Sequence, residues 1–111
     1  MSGLDDPNFT IKTGVVAAYT VTANDFVVFY DPTAGFVITL PAGSAALAGR
    51  EYTFVQTVSN AGQMTLKTAG GTINGTAGGT GIAVTASKIG EFSVFCDGTN
   101  WVGGNSTAGL L

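Results

Sequence analysis

The stretch from Glu91 to Gly103, EFSVFCDGTNWVG, constrains the fold more than any other part of the chain. Its apolar residues at 92, 94 and 96 alternate with Glu91, Ser93 and Asp97, which is the period of a half-buried strand. The Asp-Gly pair that follows indicates a hairpin turn, because glycine adopts positive φ angles at no steric cost. A two-residue loop would pair Trp101 with Val94, and a four-residue loop would pair it with Cys96. Either register places the only tryptophan on the apolar face, so we predict that Trp101 anchors the core.

The rest of the chain favours an all-β fold. Its 111 residues suit one domain with a modest core. Thr, Val, Gly and Phe abound, and about seven to nine short strands follow one another at the spacing typical of a β-sandwich, a jelly roll or a small barrel. A β-solenoid or an ice-binding surface is disfavoured, because no fixed period repeats along the chain. We therefore predict a single β-sandwich or jelly-roll-like domain.

Three segments are expected: an extended N-terminal arm over residues 1–13, the β-sandwich domain over 14–103 and a flexible C-terminal tail over 104–111. The arm has no apolar periodicity and contains Asp5, Asp6 and Pro7. It is interpreted either as a docking arm or as a frayed end. The tail is polar up to its two final leucines, which either dock on the domain or fray.

The segment Phe26–Tyr30, FVVFY, is apolar on both of its faces. Such a strand is buried on both sides, or has one side against another subunit. Charged residues make up only 10% of the chain, well below the usual quarter or so. A monomer with so few surface charges is poorly protected against association. We therefore predict a homo-oligomer, specifically a homotrimer, with Val27 and Phe29 as interface residues.

A second hairpin is expected between the alternating segments Glu51–Val58 and Gln63–Thr68. A three-residue loop over 60–62 would pair Val58 with Met64 and keep both apolar sets on one face.

Several classes of function are not expected. The chain has no histidine, so it lacks the usual general base near neutral pH and the imidazole metal ligand. No catalytic, metal or cofactor site is predicted, and the protein is not expected to be an enzyme. The net charge of −3 and the scattered cations argue against nucleic acid as a partner. No segment has the length of a membrane span, and the lone Cys96 is interpreted as a small buried hydrophobe.

Three segments in a fixed order resemble a small β module of bacteriophage virion proteins. They are VITLPAGSAALAGREYTFVQ (Val37–Gln56), MTLKTAGGTINGTAGG and EFSVFCDGTNW. Modules of this kind occur in tail fibres, tailspikes and head-decoration proteins. The resemblance covers Phe36 to Trp101, and its landmarks are Leu40-Pro41, Gly49-Arg50, Leu66, Ile73-Asn74-Gly75 and Asp97–Trp101.

The resemblance implies a virion structural protein. A chain that starts at Met1 and carries neither a repetitive shaft nor a catalytic β-helix fits a capsid decoration (cement) protein, and such proteins are often trimers. The expected partners are further copies of the chain and the major capsid protein, on the capsid exterior, after synthesis in the bacterial cytoplasm. The expected contact residues of the arm are Leu4, Asp5, Asp6 and Phe9. The alternative is a receptor- or glycan-binding module of a tail fibre.

Overall fold

A computed structural model of the protein describes residues 10–59, 62–104 and 110–111. These residues form an all-β structure of two mixed sheets that share one hydrophobic core. The strands, in chain order, are β1 (Thr10–Val15), β2 (Tyr19–Thr20), β3 (Asp25–Tyr30), β4 (Phe36–Leu40), β5 (Glu51–Gln56), β6 (Met64–Thr68), β7 (Thr72–Ile73), β8 (Thr76–Ala77), β9 (Ile82–Ala83), β10 (Gly90–Cys96) and β11 (Trp101–Gly104).

The first six strands alternate between the two sheets. β1, β3 and β5 are neighbours in a seven-stranded sheet, and β2, β4 and β6 are neighbours in a four-stranded one. Each of these neighbouring pairs is parallel. The chain therefore winds through three coils, each of which gives one strand to each sheet, as in a short β-solenoid. The jelly-roll topology is not confirmed, because jelly rolls are antiparallel. The sequence has no fixed repeat, but the conclusion that this disfavours a solenoid is wrong for this half of the chain.

Unequal coil lengths explain why no period shows in the sequence. Lys12, Val28 and Phe54 occupy equivalent positions in the three coils. The first two are sixteen residues apart and the next two are twenty-six apart. The longer interval holds a 3-10 turn at Ala45–Leu47. A solenoid whose coils differ this much in length leaves no repeat for a sequence comparison to detect.

The remaining strands close one end of this stack. β10 pairs antiparallel with β5, and β11 pairs with β10 so that Trp101 lies opposite Cys96. The hairpin therefore has the four-residue loop of the two that the sequence allows. One oxygen of Asp97 accepts hydrogen bonds from the backbone N–H groups of Thr99 (2.9 Å) and Asn100 (2.8 Å). These bonds lower the pKa of the Asp97 carboxyl and fix the loop.

The predicted pairing of Val58 with Met64 is wrong. Met64 instead pairs with Phe36 of β4 in the four-stranded sheet, whereas β5 belongs to the other sheet. The connection between β5 and β6 is thus the turn of a coil. Gly62 fits this turn because a Cβ there would collide with the backbone oxygen of Pro32.

The core contains residues from both sheets and from the closing hairpin. Trp101 is 0% exposed, and its indole N–H donates to the backbone oxygen of Pro41 at 2.9 Å. The Tyr52 ring lies 5.5 Å from it. Phe54 and Phe92 stack at 5.2 Å. The fully or almost fully buried apolar residues are Val15, Val21, Val28, Tyr30, Ile38, Leu40, Tyr52, Phe54, Met64, Leu66, Ile73, Val84, Phe92, Val94, Cys96, Trp101 and Leu110.

Both predicted terminal segments contribute to this structure. Residues 10–13, assigned to the arm from sequence, lie in β1. Residues 1–9 fall outside the described part of the chain. At the other end Leu110 is fully buried, and its backbone oxygen accepts a hydrogen bond from the N–H of Thr85 at 2.8 Å. The last two residues therefore dock on the domain.

Candidate interaction surfaces

The outer face of the seven-stranded sheet is the first candidate surface. Successive strand residues point to opposite sides of a sheet, so the residues between the core positions of β3, β5 and β10 point outward. The strand register joins them with residues of the flanking strands β1 and β11. We call this surface the outer face; it consists of Ile11, Val27, Phe29, Glu51, Thr53, Val55, Glu91, Ser93, Phe95 and Val102.

The outer face is more apolar than the solvent side of a sheet usually is. Six of its ten residues are apolar, although antiparallel and mixed sheets commonly carry polar side chains on the side away from the core. Ile11 and Val102, at the two sides of the patch, are 52% and 47% exposed, and the apolar residues between them are half-buried. A sheet face that presents so many apolar side chains to solvent is typical of a protein–protein contact.

The polar groups of the outer face have a regular arrangement. At its centre the hydroxyls of Thr53 and Ser93 are hydrogen-bonded at 3.0 Å. Glu51 lies opposite Phe95, and Glu91 lies opposite Val55, so the two carboxylates occupy diagonal corners. They are four residues apart along the strands, which corresponds to about 13 Å. The outer face therefore carries apolar side chains on both sides of a central pair of hydroxyls, with an acidic group at either end.

Both predicted interface residues lie on the outer face. Val27 and Phe29 are half-buried in β3 and adjoin Thr53 and Val55 of the next strand. Sequence reasoning did not single out Val55 or Phe95. The sequence does contain a signal for both: each is an apolar residue at a position where the strand alternation predicts a side chain that points away from the core. The predicted arm residues Leu4, Asp5, Asp6 and Phe9 lie outside the described part of the chain.

A buried carboxylate organises the second candidate, a polar cluster at the start of β3. Asp25 is almost fully buried. Its carboxylate accepts hydrogen bonds from the Thr10 hydroxyl (2.9 Å), the Tyr19 hydroxyl (2.5 Å) and the Thr22 N–H (3.0 Å). Burial, together with the bond to Asp25 and its negative charge, raises the pKa of Tyr19 to about 12. This carboxylate joins the strands of the first coil to the start of the second.

Arg50 extends the cluster toward the third coil. Its guanidinium donates to the backbone oxygen of Asp25 and lies 4.7 Å from the centre of the Tyr52 ring. The Tyr52 hydroxyl in turn donates to the backbone oxygen of Thr22 at 3.1 Å. Each of these groups bonds another group of the same cluster, so the arrangement stabilises the junction of the coils.

Within the three described ranges, no group of three or more Cys, Asp or Glu residues is placed to hold a metal ion. The same ranges contain no helix that is long and apolar enough to span a membrane. Comparison of the chain with models of protein families, with curated proteins and with solved structures gives no match.

Proposed function

We propose that the chain is a bacteriophage virion structural protein, a capsid decoration (cement) protein that binds the outer capsid surface and stabilises the head. The observation that carries this proposal is the outer face, an apolar strip on a protein of which only 10% is charged. A surface of this kind fits a protein that works in an assembly. The sequence landmarks between Phe36 and Trp101 resemble those of bacteriophage virion modules, which is why we propose a virion as the assembly.

The proposed protein is a homotrimer that uses Val27 and Phe29 of the outer face. These side chains belong to the centre of β3, whose other side is in the core. A subunit contact that covers them removes half-buried apolar area from water, at about 25 cal/mol per Å². Light scattering at micromolar concentration should therefore give a mass above the 11.1 kDa of one chain. A monomer mass at every concentration would remove the trimer from the proposal.

The arm supplies the proposed contact with the major capsid protein. Leu4 and Phe9 are apolar, and Asp5 and Asp6 suit cations on the partner. The arm joins the domain at Thr10, in an edge strand of the seven-stranded sheet. Ordering an arm costs about 1–2 kcal/mol per residue. Three arms on one trimer offset this cost, because the second and third contacts form at high effective concentration.

Deletion of Met1–Phe9 tests the attachment. The shortened protein should keep its oligomeric state and its melting temperature, since β1 begins at Thr10. Its binding to undecorated capsids, measured by co-sedimentation, should fall sharply. A matched control replaces only Ser2 and Gly3 with alanine and should bind like the full chain. Unchanged binding of the shortened protein would place the footprint on the β-domain.

Copy number per virion, from mass spectrometry, separates a decoration protein with many copies from a tail-fibre module with few.

A further inference from the structure

The segment Thr85–Ile89 presents an apolar side chain to solvent at the entrance to β10. We call this segment the Ile89 tip. Ile89 is 64% exposed, the largest value among the exposed large hydrophobic residues of the described chain. Chance exposure of one aliphatic residue needs no explanation. The backbone that carries this one, however, is held in place by an unusual set of side chains.

Side chains from the end of β5 and the residues after it hold three successive parts of the tip. The Gln56 amide donates to the backbone oxygens of Thr85 (3.1 Å) and Lys88 (2.6 Å). The Ser59 hydroxyl donates to the backbone oxygen of Ser87 at 2.9 Å. These bonds replace the strand pairing that the tip lacks, so its backbone is fixed without belonging to a sheet.

Gln56 is itself fixed by the core. It is fully buried, and its side-chain oxygen accepts a hydrogen bond from the Tyr30 hydroxyl at 2.9 Å. Both N–H groups and the oxygen of the amide are thereby satisfied. Ser87 adopts a φ of 60°, a conformation that costs energy in residues other than glycine. The bonds to Thr85, Ser87 and Lys88 fix the backbone up to the residue before Ile89 and so give Ile89 a defined position, as expected of a contact residue.

The outer face has the features that such a tip requires of a partner. It offers an apolar strip with Glu51 and Glu91 at its corners, and none of its ten residues is a cation. The tip carries Lys88 directly beside Ile89. Two outer faces packed on each other would bury carboxylates against apolar side chains, which is unfavourable. A tip packed on an outer face joins apolar to apolar and a cation to an acidic rim.

We propose that the Ile89 tip of one copy packs on the outer face of the next copy, beside Val27 and Phe29. This inference rests on the homo-oligomer of the proposed function and names its two contacting surfaces. The contact is heterologous, because different surfaces of the two copies meet. Each copy has one tip and one outer face, so each copy contacts two others, and the proposed trimer is the closed ring of three copies.

A mixing experiment with two variants tests the inference. Ile89→Ser removes the apolar side chain of the tip and keeps the outer face, whereas Phe29→Ser removes an aromatic side chain of the outer face beside Val55 and keeps the tip. Each variant alone should be monomeric, with circular dichroism like that of the wild type. An equimolar mixture should contain a heterodimer of twice the 11.1 kDa chain mass, because one intact tip meets one intact face. Native mass spectrometry distinguishes this species from homodimers. Val27→Ser serves as a second face variant if Phe29→Ser does not fold.

The control is Val16→Ser, which removes another exposed aliphatic side chain, 59% exposed, outside both surfaces. It should keep the wild-type mass. The inference is overturned if the wild type is monomeric, if Ile89→Ser keeps the oligomer, or if the mixture gives no heterodimer. Capsid binding by the wild type is measured separately. If the wild type is a monomer that still binds capsids through its arm, the proposed attachment stands and the proposed ring does not.

Discussion

At the scale of single residues, Trp101 contributes the largest side chain of the fully buried core. We expect Trp101→Ala to lower the free energy of unfolding by about 3–5 kcal/mol, because it leaves a cavity between the closing hairpin and Tyr52. Chemical denaturation measures the change, with circular dichroism as the probe. Val102→Ala, at the next and half-exposed position, should change the free energy by less than about 0.5 kcal/mol. Equal effects of the two substitutions would contradict the burial of Trp101.

The three tyrosines predict a loss of stability in alkali. Burial and Asp25 raise the pKa of Tyr19 to about 12, and burial raises the pKa of Tyr30 and of Tyr52. The folded protein thus binds these protons more tightly than the unfolded chain, whose tyrosines titrate near 10.0. The stabilisation is complete below about pH 10 and is lost as the pH rises toward 12. Tyr19→Phe should flatten part of this decline, and tyrosinate absorbance should rise only as the protein unfolds. Normal titration of the native protein near pH 10 would contradict the prediction.

The sequence identifies apolar core residues better than buried polar ones. Alternation alone places Phe92, Val94 and Cys96 on the side where the structure has the core. Asp25 and Gln56 carry no such signal, because a polar residue inside a strand pattern is normally interpreted as solvent-exposed. The burial of Gln56 depends on partners distant in sequence, Tyr30 and Thr85, and these are known only once the coils are stacked.

At the scale of elements, the sequence predicts strands and misses how they pair. The segment that follows β5 contains Asn60 and Gly62, and local rules favour a hairpin there. The parallel neighbours that β5 and β6 have in the structure, β3 and β4, come from the preceding coil. Parallel pairing has no local turn signal, since its partners lie a whole coil apart. The hairpins that local rules do describe are β7–β8, with Asn74-Gly75 at positive φ in a two-residue loop, and the final one at Asp97, where the sequence leaves two registers.

The C-terminal pair Leu110-Leu111 acts as one more packing element. Leu110 is fully buried and bonds the backbone of Thr85, whereas Leu111 is partly exposed. We expect Leu110→Ala to lower the free energy of unfolding by about 2–5 kcal/mol and Leu111→Ala to have a smaller effect. Hydrogen exchange at the Thr85 amide should also accelerate in the Leu110 variant. If truncation of both leucines leaves stability unchanged, the tail does not dock in solution.

At the scale of the whole molecule, the coil architecture predicts that stability is uneven. In stacked coils each strand depends on its nearest neighbours. Among the described strands β5 has a neighbour on both sides, whereas β1 has one and exposes all but its last residue. The exposed Lys12 of β1, whose ammonium lies 5.4 Å from the Tyr19 ring, occupies the position at which the later coils have the buried Val28 and Phe54. The first coil is therefore a thin polar cap.

Native-state hydrogen exchange should thus show the first coil opening before the rest. Backbone amides of β1 and β2 should exchange through a local opening, and those of β5 and β10 only through global unfolding. Asp25→Ala should speed the first group selectively, because it removes the acceptor of Thr10, Tyr19 and Thr22. Asp97→Ala is the matched control, since it removes a carboxylate with two bonds at the far hairpin and should leave the first coil unchanged. A single exchange free energy for all four strands would show instead that coils and cap unfold as one unit.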